Sequence, residues 1–459
     1  MSYAAFLENK RHTAGDVGFT PTFTPNWLFD FQLSLVEWSC RNGRSAVFAD
    51  CGLGKTPMQL VWAQNVVQHT NGRVLILAPL AASAQTTQEA QKFDIEATRS
   101  RDGQFGAAKI VVTNYERLHL FSPADFQGVV CDESSILKNF DGATKAAVTE
   151  FVRRVPYRLL ATATAAPNDY IELGTSSEAL GRLGFVDMLG MFFKNTDGNV
   201  AMRTHGHEAK WRFKPHAEQA FWRWMCSWAR AVRKPSDLGF DDGAFVLPPL
   251  SEQVTVIEAS RPLPGQLFVR PAETLQEQRE ERRATLVERC EAVAQRAITP
   301  YPFVGWCHLN DEADLLERLI PDSRQISGAN SDDEKEELFE AFRTGQLRAL
   351  ITKPRIGAFG LNWQHCAHMS FFPSHSYEQY YQAVRRCWRF GQTRQVVVDV
   401  ISTAGESDVM ANLQRKSAAA DRMFASMVQE MSFASHMRPR VDTAVQVSVP
   451  SWVKEVSHV

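Results

Sequence analysis

Short unbroken apolar runs alternate along the chain with longer stretches whose apolar positions recur at helical spacing. Residues 45–49, 74–77, 110–113, 128–131 and 157–161 are too short for helices and show no polar face, a pattern that predicts strands buried on both sides. A second series, 303–307, 348–352, 368–372 and 396–401, repeats the signal, with 332–344 as one intervening helix. Strand and helix in alternation predict a parallel sheet covered by helices, and the repetition predicts two such α/β halves that meet near Leu247. Between them the character changes. Residues 201–234 carry eight Lys or Arg against two Glu, a local net of +6, with Trp211, Trp222, Trp224 and Trp228 interleaved. Residues 239–249 read as a linker, 273–291 as a charged solvated helix and 408–431 as a closing helix.

Composition narrows the class without changing this picture. A chain of 459 residues has room for two or three domains, and 44% hydrophobic with 22% charged residues excludes global disorder. The net charge of −2 neither supports nor excludes a nucleic-acid partner, so the local clusters decide. The first twelve residues carry charge with no apolar stretch behind them, and about 18 uninterrupted apolar residues occur nowhere. A cytoplasmic protein with no membrane segment is expected. The eight cysteines are scattered, none as a Cys-x-x-Cys pair, which speaks against a zinc ribbon or a disulfide framework and predicts idle, buried thiols.

The strongest chemical signal is Ala49-Asp50-Cys51-Gly52-Leu53-Gly54-Lys55-Thr56, directly after one strand and before a helix. Gly52 and Gly54 let the backbone turn its N–H groups toward phosphate oxygens at a helix N-terminus. Lys55 then reaches the β- and γ-phosphates, and the Thr56 hydroxyl is a Mg²⁺ ligand. A site of this kind also needs an acid on a neighbouring strand, which Gly128-Val129-Val130-Cys131-Asp132-Glu133 supplies: Asp132 for the metal and Glu133 for the attacking water. Farther on, Arg386 and Arg389 are three apart, a spacing that sets both on one helical face, where guanidinium forks suit the charge of a transferring phosphoryl group. Gly360 would allow close backbone approach to nucleotide or nucleic acid.

These segments resemble the motifs of superfamily-two helicases, and within them the Swi/Snf-type translocases, especially the short phage- and prophage-encoded ones. The phosphate loop, Asp132-Glu133-Ser134-Ser135-Ile136-Leu137-Lys138-Asn139 and Ala161-Thr162-Ala163-Thr164-Ala165-Ala166-Pro167-Asn168 resemble motifs I, II and III. Gly357-Ala358-Phe359-Gly360-Leu361-Asn362 resembles motif V, and Gln382-Ala383-Val384-Arg385-Arg386-Cys387-Trp388-Arg389-Phe390-Gly391-Gln392 motif VI. Phe31-Gln32 matches the segment whose glutamine reads adenine, while Ala78-Pro79-Leu80 and Thr113-Asn114-Tyr115-Glu116 resemble motifs Ia and Ib, placing Pro79, Thr113 and Asn114 on the nucleic-acid track. The chain departs from the pattern at Ser134-Ser135, where Ala-His is usual, at Ala163 and Ala165, and at Arg385, where Asp or Gly is common.

The resemblance, which runs from about Gln32 to about Ile401, implies two RecA-like lobes with ATP and Mg²⁺ between them, held by Gln32, Gly52, Gly54, Lys55, Thr56, Asp132, Gly360 and Gln382. The expected division is 1–175 for the ATP-binding lobe, 176–247 for a helical basic insertion, 248–405 for the second lobe and 406–459 for a helix and tail. Arg212, Lys214, Arg223 and Arg230 of the basic segment suit a phosphate backbone, with the tryptophans either stacking on bases or packing an insertion helix. His205, His207 and His216 lack a fourth metal ligand at suitable spacing, as does the His365-Cys366-x-His368 group. The expected activity is ATP-driven translocation on double-stranded DNA in a bacterial or phage-infected cell. The alternatives are an RNA or single-strand helicase, and a nucleotide-gated clamp that docks a nuclease, methyltransferase or replication partner.

Overall fold

A computed structural model describes residues 17–138, 142–195, 211–258, 274–357 and 361–436. The first lobe is built on a seven-stranded sheet of β1 (Arg44–Ala49), β2 (Val74–Ala78), β3 (Ala97–Arg99), β4 (Ile110–Asn114), β5 (Gly128–Asp132), β6 (Tyr157–Ala161) and β9 (Ala229–Val232), in the order β3-β4-β2-β5-β6-β1-β9. Every pairing in it is parallel, and β7 (Phe193–Asn195) with β8 (Trp211–Phe213) forms a separate antiparallel ribbon. Alternate residues of each strand feed opposite faces: Phe48, Leu75, Leu77 and Val129 enter one core, and Val47, Ile76, Val112 and Val130 the other. This double burial is why the strands carry no polar face.

The second lobe repeats the plan with β10 (Leu250–Ile257), β11 (Phe303–Trp306), β12 (Ser323–Ile326), β13 (Ala349–Thr352), β14 (His368–Phe371) and β15 (Val396–Thr403), ordered β10-β15-β14-β11-β13-β12 and again wholly parallel. The expected pair of helix-covered parallel sheets is therefore present. All eight cysteines are free and buried. Among the described residues no helix is long and apolar enough to cross a membrane.

Two features differ from the sequence expectation. Residues 211–232, expected within a separate insertion, are built into the first lobe. β9 adds to the edge of its sheet beside β1, and Phe221, Trp222, Met225 and Trp228 of the helix Ala217–Trp228 join its core. Trp222 and Trp228 thus serve packing, their rings buried between helix and sheet, while Trp211 and Trp224 are half-buried against the same core. The closing helix, Ser407–His436, starts in the second lobe but lays Met423, Phe424, Met427 and Met431 against the core of the first. Arg233–Asp421 at 2.9 Å and Arg223–Glu430 at 3.3 Å flank that contact.

Candidate active site between the lobes

The loop Asp50–Gly54 leaves β1 and enters the helix Lys55–Thr70 with Gly52 at φ 90° and Gly54 at φ 77°, backbone conformations in which a side chain is strained. Gly52 is required for a second reason: a Cβ there would lie 2.8 Å from Phe390 N and 3.3 Å from Arg389 Cβ. The second lobe therefore presses its arginine segment directly on the phosphate loop. Pro57 sits in the first turn of the helix, where its missing N–H costs no hydrogen bond. Lys55 Nζ donates to Ala49 O at 3.1 Å, across the mouth of the loop. Gln32 holds the same loop from below, donating to Leu53 O at 2.8 Å and accepting from Phe29 N at 3.1 Å.

Asp132 ends β5, and Glu133 follows in a left-handed conformation at φ 51° that turns its side chain out of the strand direction. Asp132 Oδ1 accepts from Gln59 Nε2 at 2.7 Å. Burial and the adjacent Glu133 carboxylate push the Asp132 carboxyl up to about 6, with Gln59 and Lys55 pulling the other way. Glu133 Oε2 accepts from Thr162 Oγ1 at 3.1 Å and from Gln382 Nε2 at 3.3 Å. Gln382, fully buried, also donates to Thr164 Oγ1 at 3.4 Å, and its Oε1 accepts from Arg386 Nη2 at 2.7 Å with Cys51 Sγ at 3.6 Å. One side chain of the second lobe thus touches all three loops that end β1, β5 and β6.

Arg386 and Arg389 converge, though not as a helical face. The helix Tyr377–Cys387 ends before Arg389, yet both guanidiniums donate to Leu361 O at 3.0 Å. Burial and Arg386 pull the Arg389 pKa down to about 10, which still leaves it charged at neutral pH, and its Nε is buried with no acceptor among the described residues. Gly360 lies outside the described residues, as do His205 and His207. Among the described residues no group of three or more His, Cys, Asp or Glu is placed to hold a metal ion.

Beyond the acidic residues an interlobe cleft of about 450 Å³ is lined by Pro79, Tyr115, Glu133, Lys138, Phe339 and Arg355 among others. Its rim is held by Arg99–Glu336 at 2.7 Å, Arg101–Asp333 at 3.0 Å and Arg117–Asp332 at 3.7 Å. Pro79 faces this space, but Thr113 donates to Ser100 O at 2.9 Å, holding the end of β3, and Asn114 accepts from Arg117 N at 3.2 Å, capping the turn after β4. Arg212 and Arg223 are exposed on the first lobe, and Lys214 donates to Gly190 O. Arg230 is different. Its guanidinium lies 4.1 Å over the Trp38 ring and donates to Cys226 O and to Ala229 O, so it packs the first lobe and is not free for a phosphate.

Gln59, Asp50 and Arg385 also shape the site, though the motifs assign none of them a role. Gln59 was signalled by its position four residues after Lys55, which sets it on the same helix face. Asp50 and Arg385 carried a fainter sign, since Arg385 is a point where the chain leaves the resembling motif.

Residues 299–391 match the family described as helicase conserved C-terminal domain, a span that runs through most of the second lobe and into the arginine segment. No curated protein matches the chain. Among solved structures, the chain is similar to the Sulfolobus solfataricus SWI2/SNF2 ATPase core in complex with dsDNA, at a TM-score of 0.41 and 14% identity over 90% of this chain and 96% of that one.

Proposed function

We propose that the chain is an ATP-driven motor that moves on double-stranded DNA, related to the short phage-encoded branch that its motifs resemble. The observation that carries the reading is Gln382, which links the phosphate loop, Glu133 and Thr164 to the arginine pair from the opposite lobe. A site assembled from two lobes can act only when they close, which couples chemistry to movement. The helicase match over 299–391 agrees with this reading.

The residues fit ATP with Mg²⁺. A carboxylate and a hydroxyl, Asp132 and Thr56, form the oxygen set that Mg²⁺ takes, and the two crowded carboxylates at 132 and 133 favour a cation beside them. Mg²⁺ there would neutralise charge on the β- and γ-phosphates. Lys55 binds the same phosphates, and Gln32 fixes the loop that holds them. Glu133, oriented by Thr162 and Gln382, positions the attacking water. Arg386 and Arg389 take the transition-state charge, and the unpartnered Arg389 Nε supplies a donor already in place. DNA would run along the cleft beside Pro79 and Tyr115.

ATP hydrolysis measured with no nucleic acid, duplex DNA, single-stranded DNA and RNA, across a salt series, tests the reading. Stimulation by duplex DNA is expected. Turnover that no nucleic acid alters would reject the motor, and stimulation by RNA alone would reject the substrate. Displacement of a third strand from a triplex should accompany hydrolysis, with poor separation of a forked duplex.

A further inference from the structure

Asp50 and Arg385 belong to different lobes, yet they meet inside the protein with relative exposures of 6% and 4%. Arg385 Nε lies 3.2 Å from Asp50 Oδ1, and its Nη2 contacts Oδ2 directly, so the guanidinium meets the carboxylate as a fork. Asp50 Oδ1 also accepts from Cys51 N at 2.6 Å and from the Tyr381 hydroxyl. One carboxylate thereby fixes the first backbone turn of the phosphate loop and grips the arginine helix of the other lobe. Arg385 in turn stacks at 4.7 Å on the Trp388 ring, whose Nε1 donates to Pro248 O in the connection between lobes at 2.7 Å.

The division of labour among the three arginines follows. Arg386 and Arg389 share Leu361 O of their own lobe and lie against the phosphate loop, Arg386 touching Cys51 Sγ at 3.7 Å, whereas Arg385 is committed to Asp50. A buried pair of this kind escapes salt screening, and removal of one partner leaves the other charge uncompensated. If the lobes part, water solvates both ends, so the pair forms only in the closed geometry.

We propose that Asp50 and Arg385 are a positioning pair, a latch that closes the lobes in register and sets Arg386 and Arg389 against the phosphate loop; the catalytic part of this inference rests on the ATPase reading above. The latch binds no substrate itself. It makes the shape of the loop and the approach of the second lobe a single event.

The test uses the full chain with Asp50→Asn, Arg385→Gln, both together, and Arg385→Lys. Because the native cysteines are buried, Glu96→Cys and Arg318→Cys, both exposed and on opposite lobes, can carry a fluorescent pair that reports lobe separation. Each single variant should lower kcat about 30-fold, leave the affinity for a fluorescent ATP analogue within about threefold, and shift the lobes toward the open distance. The double variant should be no worse than the worse single, and Arg385→Lys should recover part of the loss. Additive losses, affinity falling in step with kcat, or an unchanged distance would overturn the latch. If the unaltered chain hydrolyses no ATP, the ATPase reading fails while the distance measurement still decides the latch.

Discussion

Gln382→Ala probes the site most directly, because Gln382 is the side chain on which the lobes converge. The substitution removes the 2.7 Å acceptor of Arg386 and the donor to Glu133 and Thr164. Arg386 keeps its bonds to Leu361 O and to the backbone of residue 382, which caps the damage on that side. The contacts to Glu133 and Thr164, at 3.3 and 3.4 Å, are long and count for less than ideal bonds. One charge-assisted bond and one weak bond to a carboxylate, both buried, come to about 3 kcal/mol, or on the order of a 10²-fold loss of kcat. Steady-state hydrolysis at saturating ATP with duplex DNA measures the loss, and binding of a fluorescent ATP analogue should stay nearly unchanged because Gln382 sits on the lobe opposite Lys55. Gln382→Glu sharpens the test: it retains the acceptor for Arg386 but sets a second carboxylate beside Glu133. A kcat within threefold of the original in Gln382→Ala, or a loss confined to nucleotide affinity, would refute the bridging role.

Lys55→Ala should abolish nucleotide binding, whereas Glu133→Gln should bind ATP and fail to hydrolyse it; equilibrium binding beside single-turnover hydrolysis separates the two, and normal hydrolysis in Glu133→Gln would remove its assigned role. Arg389→Ala should lower kcat by about 10³-fold with affinity nearly intact, as expected of a group that acts on transition-state charge, and a fall in affinity alone would make it a ground-state binder. Arg212→Gln and Lys214→Gln together should weaken duplex binding and reduce the slope of log affinity against log salt by about two, one per lost phosphate contact, whereas Arg223 is engaged with Glu430. An unchanged slope would assign these residues to the first lobe's packing, as Arg230 already is by its place on Trp38.

The elements legible in the sequence are those whose burial pattern is simple. β2, β4 and β5 are buried at every position, and so stand out as unbroken apolar runs. β9 was lost because it is four residues long, contains Arg230 and adjoins a helix of tryptophans, so local composition suggested a basic insertion. β10 is an edge strand with Val254 and Val256 exposed, and a half-solvated strand gives no run to detect. In the site, the phosphate loop and acidic pair were readable because their chemistry depends on neighbours in the chain. The Asp50–Arg385 pair was not, since it depends on a partner 335 residues away. Nor does the spacing of Arg386 and Arg389 reveal that the helix stops between them and a carbonyl of residue 361 gathers both.

The closing helix constrains how the cleft can open. Near its start, Val409 and Leu413 are buried and Met410 packs on the second lobe, while Met423, Phe424, Met427 and Met431 belong to the core of the first. The change of allegiance falls between Met410 and Met423, a span of about 20 Å along a helix at 1.5 Å per residue. Peeling four large apolar side chains away would cost about 1.5–3 kcal/mol each. The rim pairs Arg99–Glu336 and Arg101–Asp333 are partly exposed and, as surface ion pairs, are worth about 0–1 kcal/mol each. Parting the rim pairs therefore costs less than parting the apolar cluster, which favours an opening that keeps the closing helix on the first lobe. The interlobe contacts at the rim are polar ones that water or a polyanion can replace, while beside the arginine segment Phe390 also packs its ring on Phe29 of the first lobe at 6.3 Å. The resistance to opening then lies in the buried contacts of Gln382 and Arg385 with the loops of the first lobe, together with the pair that Lys138 makes with the buried Glu378.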